Sequence, residues 1–327
     1  MKKKIQNNKF SEEYLIKKYL KKLNFNKTGT FNFENDAAYV NIKKNGKLVI
    51  TSDSISENKD FFKNDDPRSI AKKITTVNLS DLSAMGSNPY AYSLNLFLPN
   101  YIDHNWLNEF SNELLKIQKK FNFYLIGGDL SKSNHLHISS TFFGKPQNGK
   151  VISQNKISLA NDIWVTGNLC DSYTGLQILK KKFHIKNKNI RNYFMKKYFY
   201  PEPCMIGPKI YKYALSMKDI SDGFVGDLKK MLNNNFGAKI YIDKLPVSRN
   251  LQKMINLNLI NKKNLLNNGD NYNLIAVTSK KNRDKVYRLA KNKNFKITLV
   301  GKVIKKLKIV NDSDIILNIP KEFDHFR

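Results

Sequence analysis

The sequence predicts a mixed α/β protein of two domains. Three observations carry that prediction. Strand-like and helix-like segments interleave in both halves of the chain. A polar, turn-rich stretch over residues 144–160 separates the halves. The 327 residues suffice for two domains with a substantial buried core. The boundary is placed between residues 152 and 153, giving domains 1–152 and 153–327.

Ser11 reads as the cap of an opening helix, with Glu12 and Glu13 favoured in its first turn beside the positive dipole end. Strand-like runs follow at 38–42 and 47–52, the second rich in β-formers at Leu48-Val49-Ile50-Thr51. Asp66-Pro67 reads as a cap followed by Pro at the first helical position, opening a helix that Gly86 stops. A strand over 90–98, an amphipathic helix over 103–121, a short buried strand over 123–126 and an alternating strand over 135–143 complete the first half. The second half restarts with a strand at 163–166 before Gly167. Helices are expected at 173–182, 207–216 and 225–234, and strands at 239–242, 274–278 and 296–300. The Asn/Lys-rich stretches between them read as solvated loops.

Composition excludes several functions. The 57 basic residues against 27 acidic ones give a net charge of +30, yet 51 are Lys and six are Arg by count of the sequence. Nucleic-acid readers favour Arg, whose planar fork grips phosphates and guanine edges bidentately. These lysines are scattered, as a bias toward Lys, Asn and Ile written by an AT-rich genome would scatter them, so no specific nucleic-acid face is expected. Cys170 and Cys204 form no CxxC pair, which excludes a disulfide framework and a Cys-rich zinc module. The apolar stretches are too short to span a bilayer. The basic N-terminus leads into no apolar core, so it is not a secretion signal and the expected compartment is the cytoplasm.

The scarce acids carry the chemistry. Asp36, Asp53, Asp81, Asp129, Asp219 and Asp222 are read at element ends beside Gly, Ser or Thr, or within apolar stretches. Each alone reads as a cap or an Asx-turn. Six together favour a hard cation such as Mg²⁺, because an unpaired carboxylate in an apolar stretch is expensive. Asp81 is the sharpest case: it sits mid-helix among Ile74, Val77, Leu82 and Met85, with Asn78 one turn earlier on the same side. Gly144-Lys145-Pro146-Gln147-Asn148-Gly149-Lys150-Val151 nearly matches a phosphate loop, but Val151 replaces the required hydroxyl, so it reads as a hairpin or linker. The five histidines show no ligand spacing beyond His135-x-His137, which reads as one face of a strand.

Taken in order, Thr51-Ser52-Asp53-Ser54, Asn78-Leu79-Ser80-Asp81-Leu82-Ser83-Ala84-Met85-Gly86-Ser87-Asn88-Pro89, Gly127-Gly128-Asp129, Ile220-Ser221-Asp222-Gly223, Asn268-Gly269-Asp270-Asn271-Tyr272 and Phe323-Asp324-His325-Phe326 resemble the motifs of thiamine-monophosphate kinases. Those kinases share an ATP-binding superfamily with aminoimidazole-ribonucleotide synthetase and selenophosphate synthetase. The resemblance implies an N-terminal mixed-sheet domain that binds ATP and dimerises, a C-terminal α/β domain, and a nucleotide cleft between them. It implies Mg²⁺ ligands at Asp36, Thr51, Ser52, Asp53, Asp81, Asp129, Asp219 and Asp222, with Asp53, Asp81, Asp129 and Asp222 serving catalysis. Nucleotide contacts fall at Gly128, Asp129 and Ser221, and thiamine contacts at Asp60, Asp270 and Phe323. The chain departs from the family at Glu34-Asn35-Asp36, where Gly-Asp-Asp is usual, and at Asp60, where a His is usual. It departs again at Gly269-Asp270-Asn271-Tyr272-Asn273, where Gly-Glu-Asp-Tyr-Glu is usual. The family's ATP-contacting Arg aligns with Asn155, with Lys156 beside it as substitute.

The implied activity is ATP-dependent, Mg²⁺-assisted phosphorylation of thiamine monophosphate to thiamine diphosphate by a homodimer. The acceptor phosphate is already ionised at neutral pH, so no strong general base is required. Two other readings are weighed: a sister enzyme with another acceptor, and a non-catalytic homologue acting as a binding protein. The Asn-Leu-Ser-Asp motif and the retained aspartates favour the kinase.

Overall fold

The computed structural model describes residues 11–33, 37–44, 46–152, 156–232, 235–262, 264–269 and 271–317. The chain divides into two compact units, Met1–Leu82 with Asn88–Lys145, and Ser83–Ser87 with Pro146–Arg327.

The first unit opens with helix α1 (Glu12–Leu15), where Ser11 Oγ accepts from the Tyr14 amide at 3.3 Å. Strand β1 (Val49–Ser56) follows, then helix α2 (Pro67–Ala84), strand β2 (Ser87–Leu98), helix α3 (His104–Phe121), and strands β3 (Tyr124–Lys132) and β4 (His137–Pro146). Asp66 caps α2, its carboxylate accepting from the Arg68 amide at 2.9 Å. Gly86 ends that helix at φ +70°, a conformation that costs glycine nothing. Asp103 caps α3 by accepting from the Trp106 amide at 2.7 Å. The sheet runs β1-β4-β2-β3. It is mixed, since β1 and β4 are antiparallel while β2 and β3 are parallel. Alternation along β1 turns Val49, Thr51, Asp53 and Ile55 to the α2 side and leaves Ile50, Ser52 and Ser54 exposed on the other face.

Three expectations are corrected here. Residues 38–42 form no strand: Tyr39 and Ile42 are exposed, and no neighbouring strand pairs with the segment among the described residues. A β-forming run without a partner edge has nothing to hold it extended. The short strand expected at 123–126 continues to Lys132, and β1 continues to Ser56, so Asp129 and Asp53 lie within strands instead of at their ends. Gly128 permits the first extension, because a Cβ there would sit 1.8 Å from the Leu94 carbonyl oxygen of β2.

The second unit contains β5 (Asp162–Thr166), α4 (Asp171–Leu179), α5 (Lys188–Phe199), α6 (Gly207–Ile210), β6 (Ala214–Asp219), α7 (Phe224–Leu232) and β7 (Gly237–Ile240). It continues with α8 (Arg249–Asn256), α9 (Asn264–Asn267), β8 (Leu274–Thr278), α10 (Arg283–Asn292), β9 (Ile297–Ile304) and β10 (Ile309–Val310). Its sheet runs β10-β7-β9-β5-β8-β6. Both faces of β5 and β8 are covered. Ile163, Val165, Ile275 and Val277 join Phe194, Phe224 and Leu228 on one side, while Trp164 and Ala276 join Ile210 and Val286 on the other. A strand buried on both faces reads as a continuous apolar run, which is why both strands were visible in the sequence.

The helix expected at 207–216 stops at Ile210, and Ala214–Asp219 forms β6, antiparallel to β8. The open edge of the sheet overrides the helix propensity of Ala214 and Leu215. Three polar stretches read as loops contain the helices α5, α8 and α10. Each buries a narrow stripe: Phe194 and Tyr198, Leu251 and Met254, Val286 and Ala290. The near-match to a phosphate loop leaves β4 into a short 3-10 turn over Gln147–Gly149, and no helix opens at Val151.

Candidate active site

In the first unit the sheet and α2 bring two carboxylates together. Asp53 projects from β1 toward α2, where Thr51 Oγ1 donates to Asp81 Oδ2 at 2.6 Å. Asp53 lies within hydrogen-bonding reach of Asp81. Burial first, and the neighbouring Asp81 charge second, push the Asp53 carboxyl up to about 7. One turn before Asp81, the buried Asn78 donates from Nδ2 to the Ile74 carbonyl at 3.0 Å. Its Oδ1 meets no donor among the described residues. Facing carboxylates with a hydroxyl bonded to one of them offer hard oxygen donors, which fit Mg²⁺. Ser52 lies on the opposite face, its hydroxyl 2.9 Å from Thr141 Oγ1 and 3.4 Å from the Ser140 carbonyl.

Asp129 sits on β3, separated from β1 by the two strands β4 and β2, and accepts from Ser131 Oγ at 2.5 Å. At about 4.8 Å per strand step, β3 runs about 14 Å from β1. With Gly127, Gly128, Ser93 and residues of the 12–38 segment, Asp129 lines a cavity of about 410 Å³. Asp60 has one carboxylate oxygen engaged in a turn, accepting from the Ser56 amide at 2.7 Å.

In the second unit the candidate residues collect at one end of the sheet. Asp219 closes β6 opposite Leu274, which opens β8, and it is buried. The loop that follows exposes Ser221 and half-buries Asp222, whose Oδ2 accepts from Lys230 Nζ at 2.6 Å. Asn271 and Asn273 brace this end: Asn271 Oδ1 accepts from the Cys170 amide, and Asn273 Nδ2 donates to the Asn168 carbonyl, both at 2.8 Å. Lys156 is exposed. Asp36, Asp270 and Phe323 lie outside the described residues. Among the described residues no three His, Cys, Asp or Glu side chains form a metal-sized cluster; Asp53 and Asp81 are the acids brought together.

Residues 34–145 match the model of the AIR synthase related protein N-terminal domain, and residues 161–311 that of the corresponding C-terminal domain. The thiamine-monophosphate kinase of Buchnera aphidicola from Acyrthosiphon pisum is 34% identical over 97% of this chain and 99% of its own length. The chain belongs to the thiamine-monophosphate kinase family. The solved thiamine-monophosphate kinase of Stenotrophomonas maltophilia superposes with a TM-score of 0.78 at 26% identity, covering 86% of this chain and 90% of its own. A further solved family member, complexed with AMPPCP and TMP, gives a TM-score of 0.77 at 24% identity, covering 89% and 91%, and shows the shared fold.

Two residues at this end of the second unit were not singled out from the sequence. Asp227, wholly buried on α7, accepts through Oδ2 from the amides of Ser221, Asp222 and Gly223 at 3.0, 3.0 and 3.2 Å. The signal was present: an acid on the apolar stripe Val225, Leu228, Met231, Leu232, one helical turn after a Ser-Asp-Gly motif. Lys296, where burial holds the amine below its ordinary value, reaches Asn168 Oδ1 and the Val247 carbonyl at this same sheet end. One Lys among 51 gives no sequence signal.

Proposed function

We propose that this chain transfers the γ-phosphoryl group of ATP to thiamine monophosphate, forming thiamine diphosphate. The observation that carries the reading is the Asp53–Asp81 pair. Two carboxylates pressed together at the cost of a strongly raised carboxyl are poised for a cation, and a hard-oxygen set of this kind suits the magnesium of a phosphoryl transfer. The names of the relatives, matched along nearly their whole lengths, supply the acceptor. The neighbour complexed with AMPPCP and TMP supports the same pair of substrates.

In this reading Asp53, Asp81 and the Thr51 hydroxyl would hold Mg²⁺ in the first unit, and Asp219 and Asp222 are the proposed cation ligands of the second. Asp36, Ser52 and Asp129 complete the expected ligand set. Bound there, Mg²⁺ offsets the charge that keeps two polyanions apart. Gly128 and Asp129 border the cavity that would take part of the nucleotide, with Ser221 and Lys156 as further contacts. Asp60, Asp270 and Phe323 are the proposed acceptor contacts. No side chain need remove a proton, because the acceptor oxygen is already anionic; the chain's contribution is alignment and charge. Losing one metal-ligand side chain should cost a few kcal/mol of transition-state stabilisation, by analogy with lost oxyanion donors.

The two domains, 1–152 and 153–327, would respectively carry ATP–Mg binding with dimerisation, and the α/β portion of the site. A homodimer belongs to the same reading. We place the protein in the cytoplasm; among the described residues no helix is long and apolar enough to cross a membrane. The deciding experiment is coupled ADP release from Mg-ATP with and without thiamine monophosphate. Release that depends on both Mg²⁺ and the acceptor supports the reading, and acceptor-independent or absent release overturns it.

A further inference from the structure

We propose that Asp227 is a positioning residue for this reaction. Its carboxylate fills the nest formed by the amides of Ser221, Asp222 and Gly223, so this loop meets the substrates through the Asp222 carboxylate and a cation instead of through its N–H groups. The inference rests on the reading above, in which Asp222 is a cation ligand.

Three successive amides converging at the start of a helix form an anion-binding concavity of the kind that takes phosphate elsewhere. Here Asp227 Oδ2 already occupies it, with amide distances of 3.0, 3.0 and 3.2 Å. The residue is wholly inaccessible to solvent. Capping α7 alone would not call for a buried charge, since a Ser or Thr before the helix does that with a neutral hydroxyl. The nearest cation, Lys218 Nζ on β6, lies 3.7 Å from Oδ1, too far for a hydrogen bond. Lys230, on the same helix as Asp227, is engaged with Asp222.

The loop is also held from its other side. Gly223 adopts φ +134°, and a Cβ there would approach the Asn267 carbonyl carbon to 2.8 Å. A Cβ on Gly269 would meet the Ser221 carbonyl oxygen at 1.7 Å. Main chain from 267–269 therefore lies against one side of the loop, and the Asp227 carboxylate ties its amides from within. Held in this way, the loop has no amide left for phosphate. Its remaining polar offering is the half-buried Asp222 carboxylate, with the exposed Ser221 beside it.

The test is a double-mutant cycle on cation affinity, with Mn²⁺ as the probe and free Mn²⁺ read by electron paramagnetic resonance in the full-length protein. Wild type, D222N, D227N and the double variant are compared, with melting temperatures measured alongside. D222N should weaken Mn²⁺ binding; if it does not, the ligand assignment fails, and this inference with it. Given that weakening, D227N should lower Mn²⁺ affinity about tenfold in the wild-type background and add nothing in the D222N background. An unchanged affinity in D227N, or the same loss in both backgrounds, overturns the positioning role. Should D227N not fold, Asp227→Glu keeps the charge while displacing the carboxylate by a methylene, and the same cycle is read with it. Hydrogen exchange on the wild-type protein provides a check free of any variant. The amides of residues 221–223 should be protected well beyond exposed loop amides, and rapid exchange there would also overturn the proposal.

Discussion

Replacing Asp81 with Asn removes one of two facing carboxylates at nearly constant volume, and the amide oxygen can still accept from Thr51 Oγ1. The structure predicts opposite effects on stability and activity. Asp53 is raised to about 7 by burial and by Asp81, about three pH units above an ordinary aspartate, or about 4 kcal/mol in total. Burial is the larger cause and survives the substitution. The share belonging to Asp81 is about 1–2 kcal/mol. The sign follows from proton linkage. A carboxyl raised in the folded state is most favourable to folding below its unfolded value near 4, and that advantage is lost as pH climbs through 7. D81N lowers the folded value of Asp53, so in EDTA at pH 8 the variant should be more stable than wild type by about 1–2 kcal/mol. That difference should shrink toward zero near pH 5.5, where Asp53 is protonated in the folded wild-type protein. Added Mg²⁺ should stabilise wild type and leave D81N almost unmoved, while turnover falls by a factor of about 100 or more. Urea denaturation at the two pH values, with EDTA or Mg²⁺, together with coupled ADP release, reads all of these. A variant less stable than wild type at pH 8 in EDTA, or a difference independent of pH, would refute the reasoning.

Gly128→Ala should break the β2–β3 pairing, since its Cβ would fall 1.8 Å from a carbonyl oxygen; we expect a loss of more than about 3 kcal/mol in denaturant titration. Asp162 is buried and bonds Arg283 through both carboxylate oxygens, at 2.6 and 2.8 Å. D162A strands that guanidinium and should cost about 2–4 kcal/mol, whereas turnover per folded molecule should stay normal. Asp60→Ala should lose about 1 kcal/mol through the Ser56 turn, and an accompanying rise in the KM for thiamine monophosphate is the result that keeps Asp60 as an acceptor contact. Fluorescence anisotropy with duplex DNA should show weak binding that collapses as salt rises, without sequence preference; submicromolar selective binding at physiological salt would contradict the scattered-lysine reading.

Elements declared by local chemistry were legible in advance. Asp66-Pro67 opens α2, Asp103 caps α3, and the unbroken apolar runs of β5 and β8 mark strands buried on both faces. The acids could be picked out because they are few and stand beside Gly, Ser and Thr. Side chains whose role depends on a distant partner were not legible. Asp227 reads as one more helical acid until the Ser221–Gly223 amides are seen to converge on it, and Asn271 and Asn273 read as weakened acids until they are seen bracing the loop after β5. The polar helices α5, α8 and α10 hid because two buried residues per helix leave a periodicity too thin to stand out among lysines and asparagines.

By itself the sequence determined the two-part α/β architecture, the family and the set of candidate acids, since capping, burial and motif spacing act over a few residues. Only tertiary structure decided which acids meet. Sheet order sets β1 beside β4 and three strand steps from β3, so Asp53 meets Asp81 across the strand–helix layer while Asp129 stands apart. Strand pairing is a contest among edges far apart in the chain, and its free energy appears only when those edges come together.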